Sequence, residues 1–156
     1  MIGFGYDIHR LEFGRKLILG GIEISSDIGP IAHSDGDVLI HSIIDSILGA
    51  CGMGDIGEIF PDTDNKYKNI SSVELLKEVM DKINRKFRII NIDCMIILEK
   101  PKLNNYKIKI KENISKILDL DISKVNIKAG TNEKLDALGR NEACAVYSVC
   151  QVEAIN

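Results

Sequence analysis

The chain has 156 residues, 45% of them hydrophobic, which is enough to bury one sizeable core and too few for two ordinary domains. A net charge of −3 excludes a general nucleic-acid binder, which carries a marked basic excess. The longest apolar stretch, residues 38–53, is broken by His41 and Asp45, and no charged leader precedes the first strand, so a cytoplasmic protein without membrane contact is expected.

Residues 2–9 read as a short strand, and residues 16–24 as a hairpin pivoting at Gly20-Gly21. Residues 30–37 read as a loop ending in Ser34-Asp35-Gly36-Asp37, residue types suited to a helix N-cap. A helix is expected over 37–51, where Val38, Ile40, Ile43, Ile44, Ile47 and Leu48 form a broad apolar stripe. Residues 52–68 read as a long irregular loop, of a length that is often functional. Ser71 with Glu74 reads as a capping box that opens a second helix, to about residue 85. Residues 87–99 form a long strand, alternating at Ile90, Ile92, Cys94 and Ile96, and Pro101 ends it. A third helix follows over 106–118, then a strand over 124–131 with Val125, Ile127 and Ala129 on one face. A polar loop over 132–141 leads to the closing strand, 143–154. This order predicts an α/β fold of the α+β type: a single domain over 1–156 with a mixed, four-stranded-type sheet and helices on one face. Cys51, Cys94, Cys144 and Cys150 form no C-x-x-C pair and read as small buried residues in a reducing compartment.

Asp7 and His9 lie two apart on a predicted strand, so both side chains leave the same face. With His41 from the first helix they make a normal zinc donor set, and three protein ligands leave a fourth tetrahedral position open for substrate. The D-x-H spacing alone also describes a hydrogen-bonded core histidine or a surface pair. Asp37 and Asp45, each one helical turn from His41, are candidates to orient its imidazole. His33 and Ser34 come just before the helix start, where backbone N–H groups favour phosphate. Two acidic turns follow, Gly54-Asp55-Ile56-Gly57 and Phe60-Pro61-Asp62-Thr63-Asp64. Thr131, Glu133 and Lys134 stand at a strand end, the edge at which open α/β sheets place ligands. Gly139-Arg140-Asn141-Glu142 also suits a plain turn closed by a salt bridge.

Taken in order, Asp7-Ile8-His9, residues 32–37 with His41, the two acidic turns, Pro101-Lys102, Thr131 with Glu133-Lys134-Leu135, and Gly139-Arg140 closely resemble the 2-C-methyl-D-erythritol 2,4-cyclodiphosphate synthase family of the non-mevalonate isoprenoid pathway. The likeness runs from about residue 2 to residue 152. It implies conversion of 4-diphosphocytidyl-2-C-methyl-D-erythritol 2-phosphate into the cyclic diphosphate with release of CMP. The 2-phosphate attacks the β-phosphorus, so the protein's task is positioning and charge neutralisation.

The resemblance further implies one Zn2+ per subunit on Asp7, His9 and His41, and a second divalent ion, Mg2+ or Mn2+, held with the help of Glu133. It assigns transition-state stabilisation to His33 and Thr131. Asp7, Ile8, His9, His33 and Ser34 would contact substrate, and Asp55, Ile56, Gly57, Phe60, Pro61, Asp62, Thr63 and Asp64 would cradle the methylerythritol part. Leu98, Glu99, Lys100, Pro101, Lys102, Leu103 and Asn104, together with Gly130, Thr131, Asn132 and Glu133, would form the cytidine pocket, and Ala137 and Arg140 are further substrate-binding positions. A homotrimer with active sites between subunits is implied as well. Arg140 and Glu142 resemble residues near its threefold axis, where some members bind an isoprenoid diphosphate, and Tyr6 would line the same channel.

The chain departs from the family pattern at three places. Gly130-Thr131-Asn132 stands where three threonines are common, Ala137 where an aromatic is common, and Ala143 where a glycine is common. Two other readings compete with the synthase: a metal-dependent phosphohydrolase using water at the open metal position, and a non-catalytic trimeric protein that binds isoprenoid diphosphates. Retention of all three zinc-type ligands speaks against the second of these.

Overall fold

A computed structural model describes residues 1–61, 63–67 and 70–155, so Asp62 of the second acidic turn lies outside the described residues. Strand β1 (Ile2–Phe13) carries Gly3, Gly5, Asp7, His9 and Leu11 on one face and Ile2, Phe4, Tyr6 and Ile8 on the other. The glycine face turns inward, and all four apolar residues of the other face are exposed. The reason is the first helix, α1 (Val38–Cys51), which lies directly on β1 and on the closing strand β7 (Ala143–Ala154). A Cβ built at Gly5 would stand 1.9 Å from the Ser42 carbonyl oxygen, and one at Gly3 would stand 1.9 Å from that of Ser46. Ser42 also donates to Ser148 Oγ at 2.7 Å, a polar tie across this close contact.

Strand β4 (Ile28–Pro30), β1, β7, β5 (Phe87–Ile97) and β6 (Val125–Gly130) form one five-stranded sheet in the order β4-β1-β7-β5-β6. All its pairings are antiparallel except β5 with β6, which are parallel and joined through helix α4 (Lys107–Ile117). The sheet is therefore mixed, as expected, but it has five strands rather than four. The extra one is a three-residue edge, too short to show a period in the sequence. A separate hairpin, β2 (Leu17–Leu19) and β3 (Ile22–Ile24), turns at Gly20 and Gly21, whose φ values of 62° and 74° are those of a tight glycine turn.

Helix α3 (Ser72–Ile83) packs on α1, and the core runs continuously from α1 through α3 and α4 to the inner face of the sheet. Ser71 caps α3, but its side chain accepts from Val73 N–H, and Glu74 pairs with Lys77, so the expected reciprocal capping box is not formed. The loop expected over 52–68 contains a one-turn helix, α2 (Ile56–Ile59), and the 132–141 loop contains another, α5 (Asp136–Gly139). Cys94, Cys144 and Cys150 are buried free thiols and Cys51 is half-buried. Among the described residues, no helix is long and apolar enough to cross a membrane.

Asp37 fastens these parts together. It is fully buried, and its carboxylate accepts from Gly20 N–H (2.9 Å), Gly21 N–H (2.6 Å) and Ile40 N–H (3.0 Å), tying the hairpin turn to the start of α1. Burial pushes its carboxyl up to about 6 against the pull of those three donors, with the nearby Asp35 adding to the rise. A folded-state value above the unfolded one means that the folded form holds the proton more tightly. The contribution is present at low pH and is lost as pH rises through the interval from 3.8 to about 6. Asp37→Asn, which does not titrate, is expected to be destabilised by about 1–3 kcal/mol, because one backbone donor loses its acceptor. The gap to wild type should be wider at pH 4 than at pH 7 in chemical denaturation; a gap that widens with pH would contradict this assignment.

Candidate metal centre and substrate cleft

Beyond the two glycines, β1 presents Asp7 and His9 to the same inner face, and close seating of α1 brings His41 over them. His41 Nδ1 lies 3.1 Å and His9 Nδ1 3.3 Å from Asp7 Oδ2. One ligand atom from each of the three residues falls within 4.8 Å of the others, and all three side chains are partly buried. Burial alone would raise the Asp7 carboxyl, but hydrogen bonds from His41 and His9 outweigh it and hold the group at about 2. Acceptor atoms converging on one point repel unless a proton or a metal ion lies between them. Two imidazoles and a carboxylate are the donor chemistry of a divalent-metal site with an open position, so the residues present fit such an ion.

The three residues sit at one side of a cleft of about 530 Å³. Its lining brings together many of the expected residues: His33, Ser34, Ile56, Gly57, Phe60 and Asp64 join the three ligands there. Phe60 forms part of the wall, edge-on to Tyr67 at 5.2 Å between ring centres. Asp55 serves as N-cap of α2, accepting Glu58 N–H at 3.0 Å. Ile8 points the other way, onto the exposed outer face of the sheet, so its part in any contact is through the main chain.

A second cluster forms at the C-terminal ends of β5 and β6 and, among the described residues, does not line this cleft. Leu98 N–H donates to Gly130 O at 3.0 Å, joining the two segments. Glu99 Oε1 accepts from Asn132 N–H (2.9 Å) and Lys134 N–H (3.3 Å), and Asn141 Oδ1 accepts from Lys100 N–H (3.0 Å). The side chains of Leu98 and Leu103 are buried in the core, which leaves only their backbone for a ligand. Thr131 Oγ1 donates to Glu133 Oε1 at 3.1 Å. Glu133, Lys134, Asp136 and Asn141 all adopt positive φ, between 51° and 62°. Strain of this kind in residues other than glycine concentrates at functional loops. Arg140 pairs with Glu142 through two 3.0 Å contacts, the salt-bridged turn foreseen as one reading of that segment, and the pairing lowers the Glu142 carboxyl.

Neither carboxylate expected to orient His41 does so by a hydrogen bond. Asp37 is taken up by the hairpin and the helix start, and Asp45 accepts Ile56 N–H at 2.8 Å. The far nitrogen of the ring, Nε2, instead meets Ser72 Oγ at 2.9 Å and Ser34 Oγ at 3.3 Å, and Ser72 Oγ donates in turn to Asp35. Ser72 and Asp35 stand 31 and 6 residues from His41, at separations that no helical or strand period connects.

A carboxylate and two histidines at the edge of a cleft of this size, carried on a mixed sheet, define a candidate metalloenzyme centre. The YgbB family model matches residues 1–153, and the chain belongs to that family. It is 54% identical over 150 residues to the 2-C-methyl-D-erythritol 2,4-cyclodiphosphate synthase of Clostridium acetobutylicum, covering 96% of this chain and 97% of the relative. A solved 2C-methyl-D-erythritol-2,4-cyclodiphosphate synthase in its CDP-bound form superposes with a TM-score of 0.91 at 34% identity, covering 98% of this chain and 100% of the other. The bifunctional IspDF from Campylobacter jejuni matches with a TM-score of 0.95 at 47% identity, over 99% of this chain and 42% of that longer one.

Proposed function

We propose that this chain closes 4-diphosphocytidyl-2-C-methyl-D-erythritol 2-phosphate to 2-C-methyl-D-erythritol 2,4-cyclodiphosphate in the non-mevalonate isoprenoid pathway. An oxygen of the 2-phosphate forms a bond to the β-phosphorus, the bond from that phosphorus to the CMP phosphate breaks, and CMP leaves with the electron pair. The carrying observation is the convergence of Asp7, His9 and His41 on one point of the cleft, in a chain that is 54% identical to a named synthase along nearly its whole length.

Zn2+ is the ion we assign to these three residues, on the chemistry of the donor set. When bound, it supplies charge neutralisation and polarisation at a substrate phosphate. His33 and Ser34 line the cleft beside it and offer donors to the same phosphate, with His33 and Thr131 as the stabilisers of charge at the reacting phosphorus. Asp55 to Asp64 take the methylerythritol hydroxyls. Residues 98–104 and 130–133 hold the cytidine diphosphate, Leu98 and Leu103 through their backbone, with Ala137 at its edge. Glu133 would help hold a Mg2+ or Mn2+ ion, which would neutralise charge on the substrate diphosphate.

The cleft and the cytidine cluster are separate within one chain, and the outer face of β1 and β7 exposes Phe4, Tyr6, Ile8, Tyr147 and Val149. Both features support a homotrimer in which a cleft from one subunit meets the 98–104 and 130–140 segments of the next. Contiguous exposed apolar surface of this kind marks an interaction site. Tyr6 and Tyr147, with ring centres 4.9 Å apart, lie on that face and would line the channel at the threefold axis, with Arg140 available to an isoprenoid diphosphate. The reading places the protein, a single domain over 1–156, in the cytoplasm.

Incubation of purified protein with the CDP-linked substrate should yield the cyclic diphosphate and equimolar CMP. A linear phosphate product would instead favour the hydrolase reading. Glu133→Gln is expected to raise the Mg2+ concentration needed for half-maximal turnover by about tenfold, one charge-assisted contact being worth about 1.4 kcal/mol or more. An unchanged Mg2+ titration would remove Glu133 from that site.

A further inference from the structure

We propose that Asp35 and Ser72 form a hydrogen-bonded relay that fixes the tautomer and aim of His41, so that its Nδ1 is presented for metal binding. The inference rests on the reading of Asp7, His9 and His41 as metal ligands.

Asp35 is held as an acceptor on both oxygens. Oδ1 takes the Ser72 hydroxyl and, at 3.2 Å, Asp37 N–H; Oδ2 takes Ser72 N–H at 3.0 Å. With both Asp35 oxygens accepting, the single hydroxyl hydrogen of Ser72 is committed to Oδ1. Only lone pairs of Ser72 Oγ then face His41 Nε2, 2.9 Å away. Nε2 is therefore held as a hydrogen donor, and Nδ1, 3.1 Å from Asp7 Oδ2, is the nitrogen turned to the point shared with Asp7 and His9, where a bound ion would replace the hydrogen that Asp7 otherwise draws onto it. The opposite tautomer would set two lone pairs against each other at Nε2 and put a hydrogen where the ion belongs. Ser34 Oγ, 3.3 Å from Nε2, accepts Gly36 N–H at 3.2 Å and is compatible with a second acceptor role. Ser72 is fully buried, so water has no route to replace its hydroxyl. Partners behind a metal-binding histidine fix its tautomer and raise its basicity. Here the partner is a serine that passes the pull of a carboxylate from another segment.

The relay joins three pieces of chain: the loop before α1, the first residue of α3, and α1 itself. A purely structural role for Ser72, holding the start of α3, is separable from this one. Ser71, next to it, caps the same helix without touching His41.

The test is zinc affinity by chelator competition, together with the hydrogen on the His41 ring read by long-range proton–nitrogen NMR on zinc-loaded and metal-free protein. Ser72→Ala and Asp35→Asn should each weaken zinc binding by about 10–100-fold, the usual cost of losing such a partner. Both should shift the ring away from the Nε2–H form. Ser72→Thr, which keeps the hydroxyl, should recover most of the loss, and Ser71→Ala should lower thermal stability with zinc affinity unchanged. Unaltered affinity and tautomer in Ser72→Ala and Asp35→Asn would overturn the relay. Should Ser72→Ala not fold, Asp35→Asn, which keeps the side-chain shape, supplies the same two readouts. A wild type that takes up no zinc would sink the metal reading; in that case a metal-free ring unmoved by these substitutions overturns the relay as well.

Discussion

His41→Ala is expected to lose its zinc and at least about 10³-fold of turnover while remaining folded, since a metal acting on phosphate is worth several kcal/mol and each 1.4 kcal/mol is a factor of ten. Two ligands on one strand, Asp7 and His9, would remain, and neither encloses the ion from the helix side. The fold should tolerate the change because the imidazole stands at the cleft edge, partly exposed, outside the apolar core. Metal analysis alongside the CMP-release assay decides the point, and full zinc content in the variant would refute the ligand assignment. A second signature follows from Asp7, whose carboxyl the two histidines hold at about 2. A lowered folded-state value contributes stability that is present above 3.8 and is lost as pH falls toward 2. Metal-free wild type should therefore resist mild acid better than metal-free His41→Ala, and the difference should vanish below about pH 2.

The second large effect is expected from a single methyl group. At an ordinary strand position, replacing glycine by alanine is neutral or favourable by about 0.5–1 kcal/mol. Gly5→Ala is expected to destabilise by about 3 kcal/mol or more, because the new Cβ meets the Ser42 carbonyl at 1.9 Å and backbone, unlike a flexible side chain, cannot swing aside. For a chain of this size that is a fall in Tm of about 6–12 °C. Ser42 is the neighbour of His41, so any helix shift that relieves the clash also draws the third ligand away from Asp7 and His9; weakened zinc binding should accompany the lower Tm. Gly49→Ala, on the same helix, has no atom nearer than 3.9 Å and should be neutral or stabilising by up to about 1 kcal/mol. Equal stability of Gly5→Ala and wild type would mean that α1 does not rest on β1 as described.

Much of this arrangement was legible in the sequence because it is periodic. The stripe of α1, the alternation of β6 and the shared face of Asp7 and His9 all follow from 3.6- and 2-residue repeats, and the structure bears them out; on β5, Ile92, Cys94 and Ile96 face the core as expected, but a register shift between Ile89 and Asn91 buries Ile89 in place of Ile90. The same rule, applied to the start of β1, points the wrong way. Ile2, Phe4, Tyr6 and Ile8 alternate as a core face would, yet they are exposed, and the core side belongs to Gly3 and Gly5. Close backbone approach, not side-chain burial, decides which face a helix takes there. Long-range pairing was equally out of reach: nothing local ties Ser72 to His41, or Glu99 to the loop at Asn132 and Lys134. Asp37 and Asp45 had the right helical spacing from His41, but backbone donors from Gly20, Gly21, Ile40 and Ile56 claimed them first.

The segment before α1 is pinned at its far end by two neighbouring carboxylates pulling in different directions, Asp37 toward the hairpin and Asp35 toward α3. At its near end, Ile31 N–H donates to Arg10 O on β1 at 2.9 Å. His33 and Ser34 thus hang on a short span fastened at both ends, with their side chains still open to the cleft. Ordering a free loop costs about 1–2 kcal/mol per residue in backbone entropy. In this span the loss is taken when the chain folds, so a ligand entering the cleft meets side chains already in place, and its binding energy is not consumed in arranging them.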